Sequence, residues 1–406
     1  MDRYILIVSL ATLLPSSPLA DHFSGGEFRL QQQVLLTREH DTLEQAIGDS
    51  ASILTSSLRL KTHGSGGAWS YDVHYVLEGL FSDDFANLPL QSTSTRNTNL
   101  LDLRTDTHRG RDGWLRHGLD RASIAYSTPK TVVRLGRQAL TWGRGQVFQP
   151  LDLFNPFAPD APDQSYKPGT DMIYGQYLFD NGADLQALVV PRRSAAAEST
   201  ADASSAAIKG LLPVGNFEVE TVLARDYGDT VVALGATAPM GDALWKLDVV
   251  STTPQRAQTT VSAVANLNMS WTWQDKPVSG FLEYYRNGFG VADERPADEL
   301  PSDLTQRMAR GQIFTTGRDY INIGGTVHWT PLLQITPIVA VNLHDQSALS
   351  LLTAQYSLSN RSNLVISAQL PFGRRGSEYG GRRTTVGADD FERMPYTVNI
   401  RFERFF

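Results

Sequence analysis

Thr259-Thr260-Val261-Ser262-Ala263-Val264-Ala265-Asn266-Leu267-Asn268-Met269-Ser270-Trp271-Thr272-Trp273 alternates in character almost residue by residue. In an extended chain Val261, Ala263, Ala265, Leu267, Met269, Trp271 and Trp273 point one way, and Ser262, Asn266, Asn268, Ser270 and Thr272 point the other. Only Gln274-Asp275 separates this stretch from the next extended one, Lys276–Arg286. A strand apolar on one side and polar on the other suits a wall between lipid and water.

The same pattern recurs outward in both directions. Ala68–Leu80 sets Trp69, Tyr71, Val73, Tyr75 and Leu77 against Ser70, Asp72, His74, Val76 and Glu78. Eighteen such stretches are predicted. They are Glu27–Arg38, Ala51–Thr62, Gly67–Leu80, His117–Ser127, Thr131–Ala139, Thr170–Phe179, Ala183–Arg192, Ser205–Pro213 and Asn216–Tyr227, then Thr230–Pro239, Ala243–Thr253, Thr259–Trp273, Lys276–Arg286, Asp319–Thr330, Leu333–Asp345, Gln346–Ser359, Arg361–Pro371 and Met394–Phe406. Short gaps such as Asp180-Asn181, Gly241-Asp242, Gln274-Asp275 and Pro331-Leu332 alternate with longer ones. Phe81–Arg116, Leu140–Gly169, Asn287–Arg318 and Phe372–Arg393 are the longest. A soluble sandwich has no reason to place its tight turns on every second connection. The expectation is an all-β, antiparallel, up-and-down transmembrane β-barrel of about eighteen strands, with short periplasmic turns and long extracellular loops. Pro337 sits awkwardly inside one strand, because proline cannot donate to the ladder.

Hydrophobic residues make up 41% of the 406, with a mean hydropathy of −0.24, and no run after the N-terminus is long enough for a helical span. A barrel gives the same average, since only alternate strand residues meet lipid. Residues 1–20 read as a signal peptide, with an apolar core at Tyr4–Leu14 and cleavage after Ala20, leaving 21–406 as the barrel; a buried N-terminal helix is the alternative. The absence of cysteine removes thiolate sites, and the formal charge of −7 argues against nucleic acid as a partner. The last strand carries Tyr396, Val398, Ile400, Phe402 and Phe406 on one face. It resembles the signal read by the outer-membrane barrel insertion machinery, interrupted by Arg404.

The gap Leu140–Gly169 with its entering strand runs Arg134-Leu135-Gly136-Arg137-Gln138, then Trp142-Gly143-Arg144, then Phe148-Gln149-Pro150-Leu151-Asp152-Leu153-Phe154-Asn155-Pro156-Phe157. It is too apolar for a solvated loop. It should either fold inward and narrow the pore or pack over the barrel top, and Trp142, Arg144, Phe148 and Asp152 are the candidate constriction. The Arg134, Gly136, Arg137, Gln138, Trp142 and Gly143 pattern resembles porin-like and alginate-export-like outer-membrane families. That resemblance implies a large bacterial outer-membrane barrel and says little about substrate.

Inward positions supply charges of both signs. Arg59, Lys61, Arg121, Arg134 and Arg401 gather on the last strand and the first five, as a basic pore-lining arc. Glu218, Glu220, Asp248 and Glu283 dominate the seventh to thirteenth strands, as an acidic one. Opposed arcs would orient polar solutes, and salt bridging along a hydrated wall is the plainer reading. The arginines of Phe372–Arg393 and Phe81–Arg116 could meet lipopolysaccharide phosphates, or be simply solvated. Asp72, His74 and Ser70 share a face without making a triad, and the histidines lack metal-ligand spacing, so no catalysis, metal or cofactor is expected. The leading reading is passive or weakly selective passage of small polar solutes across the outer membrane. The alternatives are a secretion barrel for an exopolysaccharide, with inward Tyr174, Tyr285 and Tyr320 as sugar platforms and periplasmic partners, or a closed scaffold.

Overall fold

The computed structural model describes residues 23–88, 98–156, 166–193, 202–255, 257–387 and 389–406. The leader expected at 1–20, Phe157 and most of the segment 194–204 lie outside the described residues.

The chain forms a closed antiparallel barrel of eighteen strands. They are β1 (Phe23–Leu36), β2 (Ser50–Gly66), β3 (Trp69–Phe81), β4 (Gly113–Ser127), β5 (Thr131–Gln138), β6 (Thr170–Leu178), β7 (Asp184–Val190), β8 (Ser205–Val214) and β9 (Phe217–Asp226). The second half is β10 (Asp229–Met240), β11 (Ala243–Thr253), β12 (Thr260–Trp273), β13 (Lys276–Arg286), β14 (Asp319–Thr330), β15 (Leu333–Asn342), β16 (Ala348–Ser359), β17 (Ser362–Phe372) and β18 (Tyr396–Phe405). β1 pairs with β2 on one edge and with β18 on the other, so the sheet has no open edge. Each stretch expected from alternation is a strand. The largest boundary changes are of four residues: β1 begins at Phe23 rather than Glu27, β2 ends at Gly66 rather than Thr62, and β4 begins at Gly113 rather than His117. The early part of β4 carries an extra ladder with Arg104–Arg109, a segment of the preceding loop.

The tight turns have a local cause. Gln274 and Asp275 both take positive φ, 49° and 61°, the left-handed pair whose twist matches a two-residue hairpin. The long-loop rim has one tight turn as well, at Tyr227-Gly228 (φ 48° and 83°), so the alternation of gap lengths is broken there. Two short helices not foreseen in the sequence, α1 (Thr42–Ile47) and α2 (Ser302–Ala309), sit in connections on that rim. Pro337 is accommodated within β15 by pairing with Leu352 of β16, while toward β14 the ladder skips it opposite Gly325-Thr326. Trp245, Trp271, Trp273 and Trp329 are exposed on the outer surface near the short-turn rim, where an aromatic girdle lies.

The apolar core lies inside the barrel. Trp142, Leu151 and Phe154 of the long connection between β5 and β6 pack on Met172, Leu188, Val222, Val231 and Val250, inward residues of β6, β7, β9, β10 and β11. The loop therefore folds inward, and of the two arrangements open to it this one is realised.

Candidate functional site: a loop seated on one wall of the lumen

The loop springs from a constrained base. Gly136 has φ 118°, and a Cβ there would approach the Ala122 carbonyl oxygen to 2.2 Å, so no side chain fits. Beside it the buried Arg137 donates through Nε to Asp171 at 2.8 Å, and to the Leu101 and Leu119 carbonyls. The sequence pattern around Arg134-Gly136-Arg137 thus marks the place where the chain leaves the wall.

Beyond Gly143 the loop is held by carboxylates from the strands it crosses. The Arg144 N–H donates to Asp248 Oδ2 (2.8 Å), and the Arg144 carbonyl accepts from Asn266 (2.8 Å). The Arg144 guanidinium reaches Glu220 at 3.1 Å and Glu218 at 4.0 Å, and Lys209 meets Glu220 at 2.9 Å. The N–H groups of Gln146, Val147 and Phe148 all donate to Glu283, at 2.5, 3.2 and 3.1 Å. Asn322 Nδ2 donates to the same carboxylate at 3.1 Å. Phe148 stacks on Tyr285 with centroids 4.4 Å apart and leans on Tyr320 at 5.5 Å. Farther on, Asp152 and Lys167 form a buried ion pair at 2.5 Å that ties the two limbs of the loop, and Lys167 also donates to the Leu140 carbonyl (2.7 Å). Burial pushes the Asp152 carboxyl up to about 6 against the opposing pull of Lys167.

These contacts change what the expected acidic arc does. Glu220, Asp248 and Glu283 point inward as alternation requires, but they are 2%, 0% and 0% exposed beneath the loop and line no open water. The side chain of Glu218, nearer the short-turn rim, is 56% exposed. Alternation says which way a residue points; it does not say what it meets. Here Asp248 and Glu283 meet backbone N–H groups of the loop, for which they are strong acceptors, and Glu220 meets the Arg144 and Lys209 side chains. Trp142, Phe148 and Asp152 are likewise buried against the wall, with Trp142 Nε1 donating to Gln186 at 3.0 Å, and only Arg144 among the four expected constriction residues keeps partial exposure. Tyr174, Tyr285 and Tyr320 are covered too.

The opposite wall is covered in part by the returning limb of the loop, which buries the expected pore-lining Arg121 (7% exposed), but it keeps open space. A cavity of about 330 Å³ is bounded by Arg29, Arg59, Arg104, Arg401, Glu78 and Tyr166, among others. At its centre Asp120 accepts from Arg59 (2.9 Å), Arg104 (2.7 Å) and Arg121 (3.2 Å). Asp120 and Arg121 both reach the lumen because the β3–β4 register slips between His74 and Tyr75, leaving Asp120 as the extra residue of a bulge. Tyr166, returning from the loop, lies under Arg59 (3.4 Å to the ring centroid), Arg121 (4.8 Å) and Lys61 (5.7 Å). Arg401 pairs with Glu403 at 2.8 Å, and Arg134 points inward on β5, where its strand neighbours Val133 and Leu135 are exposed on the lipid side. Asp120, Arg104 and Tyr166 were not foreseen. The adjacent charges Asp120-Arg121 inside an alternating strand were the available sign of the bulge. Asp72 and His74 do touch, at 3.1 Å.

Solved structures place this architecture. The barrel superposes on OccAB1 of Acinetobacter baumannii with a TM-score of 0.54, at 11% identity, covering 95% of this chain and 96% of that one. The fold is that of a porin. A mutant of the Rhodopseudomonas blastica porin also resembles it, with a TM-score of 0.46 at 11% identity over 94% of this chain and 99% of that one. No family model matches the chain, and no curated protein does. At such identities the likeness is one of fold. The porin-like barrel described above carries its chemistry in its own residues.

Proposed function

We propose that this porin-like barrel is a bacterial outer-membrane channel for passive, weakly selective passage of small polar solutes. The inward loop narrows the lumen, and the arginine-rich wall opposite biases passage toward anions. One observation carries this reading: the loop covers the acids Glu220, Asp248 and Glu283 and leaves Arg29, Arg59, Arg104 and Arg401 lining the remaining cavity. Around that cavity Arg29, Arg59, Arg104 and Arg401 outnumber Glu78 and Asp120, so the local field is weakly positive. The long loops face outward toward lipopolysaccharide, the tight turns face the periplasm, and the last strand serves insertion.

The exopolysaccharide-export reading leaned on inward tyrosines as sugar platforms. Tyr285 and Tyr320 are instead stacked under Phe148, which takes that support away. The test is single-channel conductance in a planar bilayer, with reversal potentials under a salt gradient. Steady conductance with an anion-favouring reversal potential supports the channel. A silent barrel that conducts only after residues 143–155 are removed points to a gated exporter or a plugged scaffold.

A further inference from the structure

The lipid-facing wall carries an indentation of about 760 Å³ across β5–β10, lined almost wholly by apolar side chains. Its depth follows from the register. Gly175 of β6 pairs with Ala187 of β7, and Val189, two residues on, pairs with Ala206 of β8, so small residues descend side by side across three strands. Larger residues, Val133, Ile173, Ile208, Leu223 and Val232, rise around them. The diagonal ends at Arg225 of β9, which pairs with Ala206 on one side and Thr230 on the other.

Arg225 is an unusual residue for this position. It shares the outward face of β9 with Val219 and Leu223 and is exposed. An arginine on a lipid face is costly at the midplane and tolerable only near the headgroups. Arg286 occupies an equivalent rim position on β13 but is neutralised by Asp319 at 3.1 Å. Among the described residues Arg225 has no carboxylate partner, and its cross-strand neighbours are alanine and threonine. Two residues on, Tyr227 turns inward, where its ring carries the buried Arg192 at 4.6 Å and Arg310 at 4.4 Å, so Arg225 is the cation at the lipid-facing end of the groove.

We propose that this groove is a binding site for a phosphate-bearing lipid of the outer leaflet, of the lipid A type. An acyl chain lies along Gly175, Ala187 and Ala206, and Arg225 holds the phosphate. The site rests on the proposed orientation, with the long-loop rim outside, and is independent of whether the lumen conducts.

The test is native mass spectrometry of the detergent-purified barrel titrated with lipid A, with a dephosphorylated lipid A as comparison. Folding is checked by heat-dependent migration in electrophoresis. Arg225→Gln is expected to lower lipid A retention by about tenfold, as loss of a charge-assisted contact predicts, and to leave the dephosphorylated lipid unaffected. Ala206→Leu, which fills the groove from a lipid-facing position, is expected to lower retention of both. Equal retention by wild type and both variants overturns the proposal. So does an oligomer that dissociates on Ala206→Leu with lipid retention unchanged, since the groove would then seat a second copy of the chain.

Discussion

The two walls of the lumen are built by the same alternation and put to opposite use. On β9, β11 and β13 the inward acids Glu220, Asp248 and Glu283 are spent on the loop, accepting from its backbone and from Arg144. On β18 and β1–β4 the inward bases face a cavity, and they are interleaved with their own counter-ions, Asp120, Glu403 and Glu78. A charge ladder read from sequence therefore overstates the field in the pore. What counts is which charges remain wet after the loop has docked.

The largest break in this contrast is expected from Phe148→Ala. Losing the ring from the Tyr285 and Tyr320 stack should weaken docking by about 3–5 kcal/mol, read as new protease cleavage within 143–155 and as larger, noisier conductance. Glu283→Ala comes next, at about 3 kcal/mol, because three backbone donors lose a charged acceptor. Unchanged conductance in that variant would mean that the acids do not hold the loop.

The ion pair Asp152–Lys167 sharpens the comparison through pH. Lys167→Met should cost about 3 kcal/mol near pH 7.5, since it strands a buried carboxylate. The Asp152 carboxyl, at about 6, lies above its ordinary value, so its protonated form suits the folded loop. Its stabilising contribution is full at low pH and is lost as pH rises through about 6. The Lys167→Met penalty should thus shrink at pH 5, and an equal penalty at both pH values would show that Asp152 is not the group concerned. Asp152→Asn should cost only about 1 kcal/mol, because the Leu140 carbonyl and Thr141 hydroxyl still hold the ammonium. The smallest structural effect belongs to Arg134→Ala on the open wall. It should leave the loop intact and lower the anion-to-cation permeability ratio by about twofold.

Much of the barrel was legible because its signal is local. Thr260–Trp273 and the Gln274-Asp275 turn could be read without knowing any distant contact, and so could the strand count. The inward fold of the loop was legible in part, from Phe148, Leu151 and Phe154. A stronger sign lay unread in the strands: the outer halves of β9, β10 and β11 place Val222, Val231 and Val250 inward, apolar residues that a water-filled lumen would not ask for. Those strands are apolar on both faces where the loop rests, and they carry Glu220 and Asp248 just beyond. Asp120 was missed because a single extra residue in β4 shifts the parity of its neighbours along the strand.

By itself the sequence determined an alternating eighteen-strand barrel, its tight turns, its long loops and the direction of strand residues outside the β4 bulge. These follow from a two-residue period and from turn residues, which act over a few positions. Tertiary structure alone decided which inward charges are covered and which stay wet, that Tyr285 and Tyr320 lie under Phe148, and that Gly175, Ala187 and Ala206 align into a groove ending at Arg225. Each of these depends on register between strands or on where a loop comes to rest. Those are contacts between residues far apart in the chain, and no local pattern encodes them.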